Sequence, residues 1–204
     1  AGDLLWHDYP EKQGVFYGYS YAYVRKGSKL TLFGSLSERA GYTILTFDTN
    51  ENTLTVSKDL EGVCFDSEKR VLDLFAGSGQ LGIEALSRGA AHCTFVENNK
   101  RAENIVKSNL VHCGFSAVSQ VVICDAAAYS LRKNSFDIAF LDPPYHKGLI
   151  EKCMPYLVHS MSDQGIIVCE TSKEEMLPQK FGDFSIDKER IYGKTKITIY
   201  RKDI

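Results

Sequence analysis

The chain has 204 residues, of which 44% are hydrophobic and 25% charged, and its formal net charge is −2 at pH 7. These values predict a soluble globular protein with one sizeable core, or one domain plus a small appendage. No apolar run is long enough to cross a membrane as a helix and no signal-peptide pattern is present, so we expect neither a membrane nor a secreted protein. The charge balance also lacks the strong excess of Lys and Arg that nucleic-acid-binding proteins usually carry.

Residues 1–66 have the period-two pattern of β-strands. Three strand-like segments, SKLTLFG, YTILTF and NTLTVSK, follow a stretch in which four tyrosines alternate with small residues (Tyr17, Tyr19, Tyr21 and Tyr23). The turn-rich RKG, SERAG and DTNEN separate these segments, which predicts a small antiparallel meander of about four strands. The tyrosine face is interpreted either as a sheet face packed on its neighbour or as a stacking surface for bases or sugars. No catalytic constellation appears here, and the role of the segment stays open.

From residue 67 onward the pattern changes to alternating strands and helices. Helices are predicted at Gly82–Arg88, from about Lys100 to His112 and at Ile150–Met161, between apolar strands RVLDLF, HCTFVE, VSQVVIC, FDIAFL and GIIVCE. This alternation predicts an α/β fold with a parallel sheet covered by helices on both faces. The closing ERIYGKTKITIYRK predicts an antiparallel hairpin around Gly193. We therefore expect two parts, a β-rich segment at 1–66 and an α/β domain at 67–204.

Acidic residues follow four of the predicted strands, at the point where each strand ends: Asp73, Glu97, Asp125 and Asp142. The carboxyl ends of parallel strands share one edge of the sheet, where α/β folds bind ligands, so these side chains should lie close together. Glu97 stands at the place where an acid meets ribose hydroxyls in nucleotide-binding folds, and Asp125 could accept a hydrogen bond from an adenine amino group. Each of them alone could instead be a solvated acid at a strand end.

A glycine-containing turn follows the first of these strands, in DLFAGSGQLGIEAL. Gly77 and Gly79 permit a tight turn, and the N–H groups at the start of the following helix favour an anion or a polar ligand group. The turn lacks the full GxGxxG spacing of dinucleotide-binding folds and the lysine of a phosphate loop. A purely structural connection between strand and helix explains it equally well.

The segments DLFAGSG, FVE, CDA and LDPPY, in this order and spacing, resemble the S-adenosylmethionine-dependent class I methyltransferases. Within that class the chain is similar to the bacterial small-subunit (16S) ribosomal RNA guanine-N2 methyltransferase family, through VLDLFAGSGQLGIEALSRGAA, FDIAFLDPPY, GIIVCET and YGKTKITIY. The resemblance covers about residues 69–202, and the N-terminal part does not match. It implies a Rossmann-like class I methyltransferase sheet with a C-terminal hairpin, in a methyltransferase domain at 67–204.

The resemblance also implies which residues bind the cofactor and which act on the substrate. S-Adenosylmethionine would be the methyl donor, bound by Asp73, Phe75, Ala76, Gly77, Ser78, Gly79, Glu97, Asn98, Asp125 and Ala126. The catalytic residues would be Asp142, Pro143, Pro144 and Tyr145. The Asp142 carboxylate and the Pro143 carbonyl would accept hydrogen bonds from an exocyclic amine, while Tyr145 would stack on the flipped target base. No metal is needed, because the donor already carries a positively charged leaving group.

Several functions fit these residues. The leading expectation is methylation of a guanine N2 amine in 16S ribosomal RNA, either free or within an assembling small subunit. An adenine-N6 methyltransferase on DNA or RNA is the nearest alternative, since DPPY serves any exocyclic amine. An alternative of another class is a β-rich ligand-binding module on a non-catalytic methylase-like scaffold. Six cysteines without a CxxC pair favour a reduced, cytoplasmic location, and the histidines and cysteines show no metal-ligand spacing.

Overall fold

The computed structural model describes residues 68–131 and 135–203, together with the backbone of four strands between residues 22 and 57. Contacts divide the chain into two units, Ala1–Cys64 and Phe65–Ile204. The two parts expected at 1–66 and 67–204, and the roles given to them, stay predictions. Within the described residues, no helix is both long and apolar enough to cross a membrane.

The four N-terminal strands form one antiparallel sheet in chain order. They are β1 (Ala22–Lys26), β2 (Lys29–Gly34), β3 (Thr43–Asp48) and β4 (Thr53–Ser57). Each strand pairs with the next one along the chain, which is the meander predicted from the period-two pattern. The tyrosine stripe lies outside the side chains that the structure describes, so both interpretations of it stay predictions.

The second unit is a single mixed sheet with helices. Its elements are β5 (Arg70–Asp73), α1 (Gln80–Ser87), β6 (His92–Glu97), α2 (Lys100–His112), β7 (Ser119–Ile123), α3 (Ala126–Ser130), β8 (Phe136–Leu141), α4 (Leu149–Leu157), β9 (Met161–Ser172), β10 (Lys180–Phe181), β11 (Phe184–Tyr192) and β12 (Thr195–Lys202). The strand order across the sheet is β10-β11-β12-β9-β8-β5-β6-β7.

The sheet is parallel from β9 through β8, β5 and β6 to β7, and antiparallel from β9 through β12 and β11 to β10. This confirms the predicted α/β fold with its C-terminal hairpin. The chain passes from β5 outward to β6 and β7 and then returns to β8 on the other side of β5. The strand order therefore reverses between β5 and β8, and open α/β sheets bind their ligands outside the carboxyl ends of the strands at such a point.

The centre of the sheet is covered on both faces, as its sequence predicts. Every residue of β8 except Asp137 is buried. A buried cluster joins strand residues such as Leu72 and Leu141 to Met154 and Leu157 of α4. Burying a side chain of this kind contributes about 1.5–3 kcal/mol to folding, so this core fixes the strand ends that carry the acidic residues.

The helix boundaries follow from local capping. Helix α2 has the predicted bounds, and the side chain of Asn99 accepts hydrogen bonds from the N–H groups of Arg101 and Ala102 at its start. Helix α1 begins two residues earlier than expected, directly after Gly79, whose φ of 83° is left-handed. The predicted helix over 150–161 ends at Leu157 and continues as a short 3-10 turn, Val158–Ser160.

Candidate functional site

The carboxyl ends of β5, β6, β7 and β8 bring the four strand-end acids to one edge of the sheet. Asp73 is the last residue of β5 and Glu97 the last of β6, while Asp125 and Asp142 follow β7 and β8 by one or two positions. The structure thus has the shared edge that the strand pattern predicted. The individual roles given to these residues stay predictions.

The glycine turn after β5 is fixed by backbone hydrogen bonds to both neighbouring strands. The N–H of Leu74 donates to the carbonyl of Phe140 on β8 over 3.0 Å, and the N–H of Ala76 donates to the carbonyl of Val96 on β6 over 3.0 Å. The turn is therefore anchored at the point where the strand order reverses. Phe75, between these two anchors, is half-buried and packs against the core cluster.

Glu97 connects the glycine turn to the loop that follows β6. Its Oε2 accepts from the N–H of Gly77 at 2.9 Å, and its Oε1 accepts from the N–H of Asn99 at 2.8 Å. Gly77 and Gly79 both have left-handed φ, 54° and 83°, which favours glycine at each position. Ser78, between them, is exposed, and so is Asn98 in the second loop. A half-buried carboxylate held in this way is pre-oriented for a polar ligand group.

Asp73 lies beneath helix α1 instead of facing solvent. The residue is 1% exposed, and its Oδ2 accepts from the N–H of Gly82 at 3.0 Å. Burial raises the pKa of the carboxyl to about 7, the hydrogen bond from Gly82 lowers it, and the charge of Glu97 raises it further. Gly82 is the third residue of α1, whose first N–H groups have no partner within the helix. Asp73 therefore acts on the helix start that follows the glycine turn.

Asp125 combines an exposed position with a capping role. Its side chain accepts from the N–H of Ala128 at 3.0 Å and caps α3, a five-residue helix that the sequence did not predict. Ala126 begins this helix and is buried. The exposed carboxylate of Asp125 lies at the same sheet edge as Glu97, and its contact with adenine stays a prediction from its place at a strand end.

The DPPY segment forms the connection between β8 and α4. Asp142 and Pro144 are exposed, Pro143 is buried and Tyr145 is half-buried. Gly148 caps α4 with a left-handed φ of 60°. The two prolines fix φ in the connection, so the carboxylate of Asp142 and the carbonyl of Pro143 are held on a stiff segment.

Two glutamates outside the predicted site contact this segment. The hydroxyl of Tyr145 donates to Oε1 of Glu170 at 2.6 Å and lies 3.2 Å from the hydroxyl of Thr195. One residue further on, the N–H of His146 donates to Oε1 of Glu175 at 3.0 Å. The pKa of the Tyr145 hydroxyl is raised well above its ordinary range, first by burial and then by its bond to Glu170. Burial also raises the pKa of Glu170.

The sequence held a signal for one of these contacts. Glu170 follows the apolar run GIIVC of β9, so the rule that selected the other strand-end acids selects it too. Nothing in the sequence indicates that Thr195 or Glu175 approaches DPPY. Among residues 68–131 and 135–203, no group of three or more His, Cys, Asp and Glu residues is arranged to hold a metal ion.

Comparison with known proteins finds one matching family and relatives that are named as ribosomal RNA methyltransferases. Residues 59–201 match the model of a family described as "Conserved hypothetical protein 95". The chain is 40% identical over 139 residues to "Putative rRNA methyltransferase YlbH" of Bacillus subtilis, an alignment that covers 65% of this chain and 76% of the relative. It is 31% identical over 139 residues to "Ribosomal RNA small subunit methyltransferase D" of Escherichia coli, with coverage of 67% and 70%.

A solved structure of a conserved hypothetical protein from Streptococcus pyogenes superimposes with a TM-score of 0.65 at 37% sequence identity. The superposition covers 71% of this chain and 91% of that one. Together, these similarities and the β5–β8 arrangement show a class I methyltransferase fold. The chain belongs to the family described as conserved hypothetical protein 95, and it is a homologue of YlbH and of ribosomal RNA small subunit methyltransferase D.

Proposed function

We propose that this protein transfers the methyl group of S-adenosylmethionine to the exocyclic N2 amine of a guanine in small-subunit ribosomal RNA. The observation that carries the proposal is DPPY, which directly follows β8 beside the glycine turn of β5. The names of the relatives support a ribosomal RNA substrate, either free or within an assembling small subunit. The choice of guanine N2 rests on the resemblance of the motifs.

The residues at the sheet edge fit the proposed cofactor. Exposed backbone at Gly77 and Ser78 and the carboxylates of Glu97 and Asp125 offer the hydrogen-bonding groups that a ribose and an adenine require. When bound, S-adenosylmethionine supplies an electrophilic methyl group on a sulfonium. We propose that Gly77, Glu97, Asn98 and Asp125 hold it, and that Asp73 acts indirectly by fixing helix α1.

In the proposed reaction, the chain activates a weak nucleophile. The lone pair of an aromatic exocyclic amine is delocalised into the ring, so the nitrogen must become pyramidal before it attacks. The carboxylate of Asp142 and the carbonyl of Pro143 favour this change by accepting from the two N–H groups. With the cofactor bound, a bond between the amine nitrogen and the methyl carbon would form as the bond from that carbon to the sulfonium sulfur breaks, S-adenosylhomocysteine would be the leaving group, and the amine would release one proton to solvent. Tyr145 stacks on the base and offsets part of a flipping cost of a few kcal/mol.

Methyl transfer from labelled S-adenosylmethionine tests the proposal. Small-subunit ribosomal RNA, partly assembled subunits and DNA are offered separately, and the labelled nucleosides are resolved afterwards. Label in N2-methylguanosine of one of the two RNA substrates is the expected result, and the better substrate identifies free RNA or subunit as the partner.

Other outcomes of this experiment identify the alternatives. Label in N6-methyladenosine retains the mechanism and overturns the choice of base. A chain that binds the cofactor and labels none of the substrates favours a binding module on a non-catalytic scaffold. A cytoplasmic location stays a prediction, which fractionation of the host cell tests.

A further inference from the structure

The segment that carries DPPY is held by side chains from three other positions in the sequence. Tyr145 is bonded to Glu170 at the carboxyl end of β9, and its hydroxyl also contacts Thr195 at the start of β12. These two strands are neighbours in the sheet, and Thr195 is paired with Ser172 in their register. The orientation of the Tyr145 ring is therefore set by the sheet and not by its own loop.

The backbone after Tyr145 is held in a second way. His146 has a φ of 60°, which is uncommon for a residue with a Cβ and persists only where its surroundings maintain it. Glu175 provides that support through its bond to the His146 N–H. Glu175 is itself fixed, because its Oε2 accepts from the N–H of Ser172 at 3.1 Å and its carbonyl accepts from Nζ of Lys196 at 2.5 Å.

The bond between Tyr145 and Glu170 has the features of a positioning contact. It is short and partly buried, and the tyrosine hydroxyl donates its proton to the carboxylate. A hydrogen bond to a carboxylate is stronger than one between neutral groups. An aromatic ring fixed before the substrate arrives loses less side-chain entropy when a base stacks on it. Neither Glu170 nor Thr195 belongs to DPPY or to the predicted cofactor contacts.

We propose that Glu170 is a positioning residue for Tyr145: it fixes the aromatic ring in the orientation that receives the substrate base, without touching substrate or cofactor itself. This inference rests on the proposed function, in which Tyr145 stacks on the target base. Thr195 assists at the same hydroxyl, and Glu175 maintains the left-handed backbone of His146 that follows.

A double-mutant cycle tests this inference. Tyr145→Phe removes the hydroxyl and keeps the stacking ring, while Glu170→Ala removes the acceptor. Each should lower kcat/KM for the RNA substrate about ten- to a hundredfold, the worth of one hydrogen bond to a charged group. The double variant should be no slower than the slower single variant, because both changes remove the same contact. Glu170→Gln keeps an acceptor oxygen and should restore most of the activity, and the Kd of S-adenosylhomocysteine should stay unchanged throughout.

The controls separate this inference from the proposed function. Asp163→Ala removes an exposed acid whose side chain is 95% accessible, and it should leave kcat/KM unchanged. If Glu170→Ala does not fold at the assay temperature, Glu170→Leu, which refills the volume, takes its place. Losses that multiply in the double variant, or a Glu170→Gln variant as slow as Glu170→Ala, overturn the positioning role. A wild-type chain that transfers no methyl group overturns the proposed function instead.

Discussion

Gly82 donates its backbone N–H to the buried carboxylate of Asp73 over 3.0 Å, which joins the first turn of α1 to the end of β5. The glycine turn lies between these two residues, so this hydrogen bond links the residues on either side of the turn. Gly79, the residue before α1, has no side chain that could cap the helix. The acid that the sequence suggested as a ligand contact thus stabilises the helix start on which the proposed cofactor site depends.

The raised pKa of Asp73 predicts a pH-dependent stability. The pKa of this carboxyl is 3.8 in the unfolded chain and is raised to about 7 in the folded chain. Between these pH values the folded state binds one proton more than the unfolded state. The protonated Asp73 carboxyl therefore contributes fully to the free energy of unfolding below about pH 4, and this contribution is lost as the pH rises through about 7. Asp73→Asn removes the titration and keeps an acceptor oxygen. Relative to wild type, the free energy of unfolding of the variant should increase by roughly 2–4 kcal/mol as the pH is raised from 4 to 8.

Urea denaturation at a series of pH values measures this difference. Parallel pH profiles for the variant and the wild type would contradict the prediction, because they would mean that Asp73 ionises normally in the folded protein. Glu84→Gln removes a second buried carboxyl and serves as a comparison. Burial also raises the pKa of Glu84, while Arg88 lowers it.

Glu97→Ala should weaken cofactor binding. The substitution removes the proposed ribose contact and releases the N–H groups of Gly77 and Asn99 that the carboxylate now holds. We expect the Kd of S-adenosylhomocysteine to rise about tenfold or more, and Glu97→Gln, which keeps one acceptor oxygen, to be intermediate. Calorimetry measures both values. An unchanged Kd for Glu97→Ala would make Glu97 a solvated acid at a strand end.

Asp142→Ala should lose turnover while it retains the cofactor. Removing one preorganised polar group from a reaction centre costs on the order of 10²- to 10³-fold in kcat. Because Asp142 is exposed, we expect little change in the midpoint of thermal unfolding. Single-turnover methyl transfer together with calorimetry separates the two effects. Rapid transfer by Asp142→Ala would show that another group activates the amine.

Gly82→Ala should destabilise the fold through crowding. A Cβ at this position would clash with Cε1 of Phe95 and lie 2.6 Å from Sγ of Cys93, and both neighbours are fully buried. Overpacking of this kind costs typically about 1–3 kcal/mol in the free energy of unfolding, which urea denaturation measures.

Gly114→Ala is the matched control for this substitution. Gly114 has a φ of 76°, and a Cβ added there would meet no atom within 4 Å, so only backbone strain of about 1–2 kcal/mol is expected. Both variants should lose free energy of unfolding, but they should differ in cofactor binding. Only Gly82→Ala moves the start of α1, so only this variant should raise the Kd of the cofactor. Equal effects on that Kd would contradict the proposed link between helix packing and site.

The sequence predicted the parts of the fold that depend on local pattern. The bounds of β6, β8 and α2 agree with their predicted residues because each has a continuous apolar run or a capped amphipathic pattern. Helix α3 was missed because AAAYS is too short to show a helical period, and only the cap at Asp125 marks it. The predicted end of α4 was four residues late, because the 3-10 turn that follows carries the same apolar pattern.

The site was predictable to the same extent. Strand ends can be located one at a time, so the acids at the carboxyl edge were found from the sequence alone. Contacts between distant positions were not, since no local pattern links Tyr145 to Thr195 across 50 residues. The burial of Asp73 was also hidden, because it depends on where α1 packs after the glycine turn.

The place of β12 within the sheet has a consequence for protein synthesis. This strand lies between β9 and β11, although it is made after both of them. Until residues 195–202 have left the ribosome, β9 cannot pair with β12 along one of its edges, and Tyr145 lacks its contact with Thr195. Unpaired strand edges expose partly made chains to aggregation. The pairing of β9 with β12 and the contact between Tyr145 and Thr195 therefore form together, after the other strands of the sheet have been made.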